Sequence, residues 1–292
     1  MATRAPEAYK SKLVDRLRQI SRGVSSPIGF SRVTETAPPA MLLIAVLPRN
    51  EVGLAQAAVR AGASAVAFRV YGAQTELLKE TGDLAQEQAA IGEALAAIGD
   101  QAIAGVIVGS NGAVTSENVT TISELGIDFI AAYPHLTPAS FLDLANVGRL
   151  AILDHQGGQL ARGINELSVQ AVLVRTERPP DSPPEMTVLD VASFRGAADG
   201  IHRPMIAFPS WKVTPADAEI LKNSGIEALA LVGPGPDADE QTVEDTIRLF
   251  AEAVRKLGKP SGRRVALTEP AVILPRMISP MGGDDESDED DE

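Results

Sequence analysis

The sequence predicts an α/β domain: eight parallel strands and eight helices in alternation, closed into a single (β/α)8 barrel, with a helical extension before it and a disordered acidic tail after it. Three observations lead there. Short apolar runs alternate with helical segments between Met41 and Leu257, and such alternation implies parallel pairing through right-handed crossovers. The chain has 292 residues, and a barrel of about 250 fits within it. Hydrophobic residues make up 45% of the chain but aromatics only 4%, so Ala, Val, Leu and Ile fill the core, which suits parallel strands covered on both faces.

Residues 1–40 precede the barrel. Tyr9, Leu13, Leu17 and Ile20 recur at helical spacing among Lys and Arg, which predicts an amphipathic helix from about Pro6 to Ser21, ended by Gly23 and Pro27. This helix either plugs the bottom of the barrel or serves as an oligomerisation arm. MLLIAVLP (41–48) is the first strand, and Glu51 to Ala61 its helix, stopped by Gly62. SAVAFRVYG (64–72) is the second strand, with a helix from Leu84 to Ile98. IAGVIVG (103–109) follows, then a helix from Ser116 to Leu125. DFIAAYP (128–134) is the fourth strand, with a helix from Pro138 to Asn146. LAILDHQ (150–156) is the fifth, with a helix from about Gly158 to Leu167. AVLVRTE (171–177) is the sixth, with a helix from about Val188 to Ala198. Met205 to Phe208 and Ala228 to Val232 are the last two strands.

Eight such units favour closure, because a closed sheet has no exposed edge. An open doubly wound sheet usually carries Gly-x-Gly-x-x-Gly after its first strand, and here that turn is Pro48-Arg49-Asn50-Glu51. Ala67, Val106, Ile130, Ile152, Leu173, Ile206 and Ala230, each mid-strand, are the expected core. Two strand-to-helix loops are long, Gly72 to Asp83 and the proline-rich Thr176 to Thr187. In a barrel both lie at the C-terminal face, as lids or as stiff surface excursions.

Residues 41–257 are thus the barrel and 258–283 an extended segment that lies along the barrel or on a neighbouring subunit. The tail, 284–292, holds eight acids and one serine, most of the net charge of −13, and cannot collapse. Without cysteine there is no disulfide, thiolate metal site or cysteine nucleophile. No signal-type apolar core and no membrane-length apolar run occur, so the expectation is a soluble cytoplasmic protein with no membrane partner. No basic face offers itself to nucleic acid.

The stretch from Pro204 to Phe250, PMIAFPSWKVTPADAEILKNSGIEALALVGPGPDADEQTVEDTIRLF, runs strand, loop, helix, strand, glycine turn, helix. It resembles the closing quarter of phosphate-binding TIM barrels, the group holding FMN oxidoreductases and ribulose-phosphate-type enzymes. That resemblance implies a TIM barrel with an anionic ligand, phosphorylated or FMN-like, whose phosphate meets backbone N–H groups at Gly233 and Gly235. The turn after strand seven departs from the pattern. The family has a glycine pair there, and this chain has Pro209-Ser210-Trp211, with the Ser210 hydroxyl and Lys212 as substitute donors.

Strand C-termini are where a barrel places reactive side chains. Arg69 and Arg175 follow apolar runs and are the anion clamps, since a guanidinium offers a bidentate fork to phosphate or carboxylate. Asn50 and His135 stand at strand ends as further ligand contacts. His155, beside Asp154, is the candidate general acid or base, with Glu177 on the next strand and Lys212 as a possible Schiff-base lysine. His135, Asp154 and His155 could also bind a divalent metal, but no metal-ligand spacing supports that and no metal is assigned. The expectation is a barrel that binds an anionic small molecule at its C-terminal face, FMN being one possible cofactor, and acts on it as an enzyme. The other reading is a non-catalytic barrel serving as an assembly scaffold through its N-terminal helix and C-terminal tail.

Overall fold

The eight strands are β1 (Leu42–Val46), β2 (Ala65–Val70), β3 (Ile103–Val108), β4 (Phe129–Ala132), β5 (Gly148–Asp154), β6 (Ala171–Thr176), β7 (Met205–Pro209) and β8 (Ala228–Val232). They pair in sequence order, all parallel, and β1 also pairs with β8, so the sheet closes into the expected barrel. This computed structural model describes residues 11–22, 39–154, 160–176, 178, 181–183 and 185–258. The linker over 23–38, the segment beyond Gly258 and the acidic tail lie outside the described residues.

The helices are α1 (Lys12–Arg22), α2 (Val52–Arg60), α3 (Leu84–Ile98), α4 (Ser116–Glu124), α5 (Ala161–Glu166), α6 (Val188–Gly200), α7 (Asp217–Asn223) and α8 (Glu240–Lys256). Three begin with reciprocal capping boxes: Asp83 with Gln86, Thr115 with Asn118, and Thr187 with Asp190. Gly62 and Gly225 close α2 and α7 at φ 98° and 86°, a conformation in which a side chain is strained. Between β4 and β5 the expected helix from Pro138 to Asn146 is instead two 3-10 turns, Pro134–Leu136 and Ala139–Asp143. Only Phe141 of the second is buried, so no apolar stripe extends it into an α-helix.

Alternating strand residues build two apolar layers. One set packs outward against the helices. The other fills the barrel interior and includes Leu42, Ile44, Phe129, Ile152, Leu173 and Ile206. The seven mid-strand residues marked by the sequence are all buried. The interior is packed by complementary size: a Cβ on Gly105 of β3 would strike the ring of Phe129 on β4, which occupies that space.

The N-terminal helix is a plug. Leu13, Val14, Leu17 and Ile20 join the interior layer at the end where the strands start. Asp128, just before β4, fixes α1 by accepting from Ser11 Oγ (2.6 Å), Lys12 N (2.7 Å) and Leu13 N (3.0 Å), three donors at the helix start. Among the described residues no helix is long and apolar enough to cross a membrane.

Candidate ligand site at the C-terminal mouth

At the other end of the barrel the inward positions of the last strand layer change character. Arg69, Ile107, Tyr133, Arg175, Phe208 and Val232 surround a cavity of ≈ 80 Å³, with Ser110 and Ser210 at its rim. The loop after β2 roofs it through Thr75, Leu77 and Leu78. The polar side chains here include two guanidiniums, a phenol and two serine hydroxyls, and among the described residues no carboxylate lines the cavity.

Arg69 is 4% exposed, and burial lowers its pKa to about 10, opposed by the charge of Glu87 on α3. It stays protonated at neutral pH. Its Nη1 donates to the carbonyls of Lys79 (2.7 Å) and Pro48 (3.3 Å), and Nη2 to that of Ala73 (3.1 Å). The guanidinium therefore holds the roofing loop as well as facing the cavity. Arg175 Nη1 donates to the Tyr133 hydroxyl at 2.7 Å. Asp154, the exposed last residue of β5, is the register partner of Arg175. Ser210 donates to the Thr176 carbonyl at 2.8 Å while lining the cavity.

The cavity thus brings together Arg69, Arg175 and Ser210 from the sequence candidates, and leaves others aside. Asn50 is committed to the seam between β1 and β2. Its Nδ2 donates to the Arg69 carbonyl (2.6 Å) and to Glu87 Oε2 (2.7 Å), and its Oδ1 accepts from Arg69 N (2.9 Å). His135 is exposed in the 3-10 turn after β4, edge-on to Tyr133 with ring centroids 5.8 Å apart. Lys212 is exposed beyond β7 and does not line the cavity. Gly233 packs beside Pro48, and Gly235 has open space where a Cβ would sit; neither lines the cavity. The N-terminus of α8 after them already holds a carboxylate, since Asp239 accepts from Thr242 N at 2.8 Å. His155 and Glu177 lie outside the described residues.

Two features were not singled out from the sequence. Tyr133 links β4 to β6, and its only sequence signal is its place at a strand end. Arg178 spans the rim: Nε and Nη2 donate to Asp190 Oδ2 at 3.0 and 2.7 Å, and its guanidinium carbon lies 3.9 Å from the centroid of the Trp211 ring. Among the described residues no group of three or more His, Cys, Asp or Glu could hold a metal.

No protein-family model matches this sequence, and no curated protein matches it either. Solved structures do share the fold. Thiamine phosphate pyrophosphorylase from Pyrococcus furiosus matches 74% of this chain and 96% of its own at 16% identity, with a TM-score of 0.54. Phosphoribosyl anthranilate isomerase from Thermus thermophilus matches 75% and 100% at 17% identity, TM-score 0.54. Tryptophan synthase from Mycobacterium tuberculosis matches 85% and 99% at 13% identity, TM-score 0.57. The likeness is one of architecture, and this chain is a (β/α)8 barrel of the same kind.

Proposed function

We propose that this barrel binds a small oxoanion, a phosphorylated compound or a carboxylate, at its C-terminal mouth and is an enzyme acting on it. The observation that carries this reading is the meeting of two arginines with Tyr133 and two serines around one cavity, at the end of an otherwise apolar interior. A buried cation, Arg69, and a half-buried one, Arg175, cost desolvation energy, and an inert mouth would be filled by aliphatic side chains. Arg175 and Arg69 are the anion groups in this reading, with Ser110 as a neutral donor and Ser210 as a second once its hydroxyl turns from the Thr176 carbonyl. Asp154, beside Arg175, and its neighbour His155 carry proton transfer. The similar barrels named for thiamine phosphate and phosphoribosyl anthranilate lend support by analogy of fold.

The cavity fits a phosphate-sized group. A flavin ring needs far more room, since pockets for ligands of that size run to roughly 300–1,000 Å³. FMN would enter only with the roofing loop displaced.

A thermal-shift series on the full chain tests the proposal. A ligand present at about 100 times its Kd stabilises the native state by about 2.7 kcal/mol. Inorganic phosphate and ribose 5-phosphate raise the Tm, and ribose does not. Equal shifts for all three, or none, would contradict an anion site.

A further inference from the structure

Resting on that anion site, we propose that the loop from Gly72 to Gly82 is a lid, with Arg69 as its latch and Leu78 as the residue that limits ligand size. The loop has a neck and a tip. At the neck, Tyr71 N donates to the Gly82 carbonyl (2.7 Å), Thr81 N to the Gly72 carbonyl (3.0 Å) and Gly72 N to Thr81 Oγ1 (2.9 Å). The tip between these rungs can swing while the neck stays tied. Tyr71 sits at φ 52°, where a non-glycine residue is strained, and such strain collects at switch regions. At the neck a Cβ on Gly72 would press on Arg69 Nη2 and Thr81 Oγ1, so a side chain there would disturb the latch.

Leu78 is 7% exposed and packs into the interior layer of the barrel, so it stoppers the mouth as α1 stoppers the other end. Three backbone carbonyls, those of Ala73, Lys79 and Pro48, take the Arg69 guanidinium, and Lys79 N also donates to the Pro48 carbonyl (3.2 Å). Neutral carbonyls are weaker acceptors for a guanidinium than carboxylate or phosphate oxygens. An anion entering the cavity therefore competes for the group that holds the lid. With Leu78 in place only ≈ 80 Å³ remains beneath it, so the closed lid admits a phosphate-sized group, and a larger phosphorylated compound binds more weakly because it must displace the lid.

Two measurements on the full chain test this. Calorimetric titration of wild type and Leu78→Ala uses inorganic phosphate and ribose 5-phosphate as probes. Leu78→Ala improves ribose 5-phosphate binding at least about tenfold, in the range by which pocket methylenes discriminate ligands, and leaves phosphate within about threefold. Equal changes for both probes, or no gain for ribose 5-phosphate, overturn Leu78 as the size limit. If neither protein binds either probe, the anion reading and the size limit fail together. Hydrogen exchange then still decides the lid. Amides of residues 73–80 exchange at least about 100-fold faster than those of β1 and β8, and Arg69→Lys raises the loop rates alone by a further tenfold or more. If Arg69→Lys does not fold, Leu78→Ala takes its place in the exchange test. Loop and strand amides exchanging together in wild type overturn the lid.

Discussion

The Tyr133 hydroxyl and the Arg175 guanidinium meet 2.7 Å apart at the barrel mouth, Nη1 donating to Oη. Tyr133 follows β4 and Arg175 lies in β6, so the contact reaches across β5, whose last residue, Asp154, is the register partner of Arg175. The pair fixes one wall of the cavity and aims a cation along it.

Tyr133→Phe removes that acceptor with little change of shape. A hydrogen bond to a charged group contributes about 1.5–3 kcal/mol, and part of this is recovered by other contacts of Arg175. Phosphate affinity falls about three- to tenfold, while the urea midpoint moves little, read by titration and denaturation on the same samples. Unchanged affinity would remove Tyr133 from the site.

Arg178 and Asp190 form a rim staple with side chains only 9% and 4% exposed. Asp190 also accepts from Thr187 N and Oγ1 at the start of α6. Breaking a buried pair from one side leaves an uncompensated charge, so Asp190→Ala costs about 3 kcal/mol in urea denaturation. A loss below about 1 kcal/mol would mean that the pair is screened as surface pairs are.

At the opposite end, the plug contributes through burial and capping. Leu17→Ala removes a fully buried side chain and costs about 2–5 kcal/mol. Asp128→Ala leaves the start of α1 without its acceptor and costs about 1–2 kcal/mol. Denaturation of both variants checks this. A Leu17→Ala protein as stable as wild type would show that α1 lies on the barrel without supporting it.

Asp239 gives a pH dependence of known sign. Hydrogen bonds from the Thr242 hydroxyl and amide hold its carboxyl below the ordinary value of 3.8. Its folded pKa is depressed, so its contribution is fully present above about pH 3.8 and is lost as pH falls through the lower folded value. The stability difference between wild type and Asp239→Ala, measured in urea, is therefore present at pH 7 and shrinks in acid. A difference independent of pH would contradict the carboxylate cap.

The barrel was legible because each strand is an apolar run buried on both faces, and because Gly62 and Gly225 punctuate the helices where backbone geometry demands them. The N-terminal helix was legible from the spacing of Leu13, Leu17 and Ile20. The turn after β4 misled, since Pro138 and the residues after it look like a helix start but lack the apolar stripe that makes one stable. At the site, Arg69 and Arg175 look alike in sequence, each following an apolar run. Their difference arises from the path of the loop that brings the Ala73 and Lys79 carbonyls to Arg69 alone, which strand periodicity does not encode. Leu77-Leu78 within a polar loop was the available sign that this loop turns inward.

The most direct test is calorimetric titration of the full chain with inorganic phosphate and ribose 5-phosphate, for wild type, Arg175→Ala and Gly235→Val. Wild type binds at millimolar Kd or tighter, Arg175→Ala loses at least about tenfold, or roughly 1.4 kcal/mol, and Gly235→Val keeps wild-type affinity. Wild type that binds neither compound at millimolar concentration, or Arg175→Ala that binds as wild type does, would contradict an anion site at the mouth.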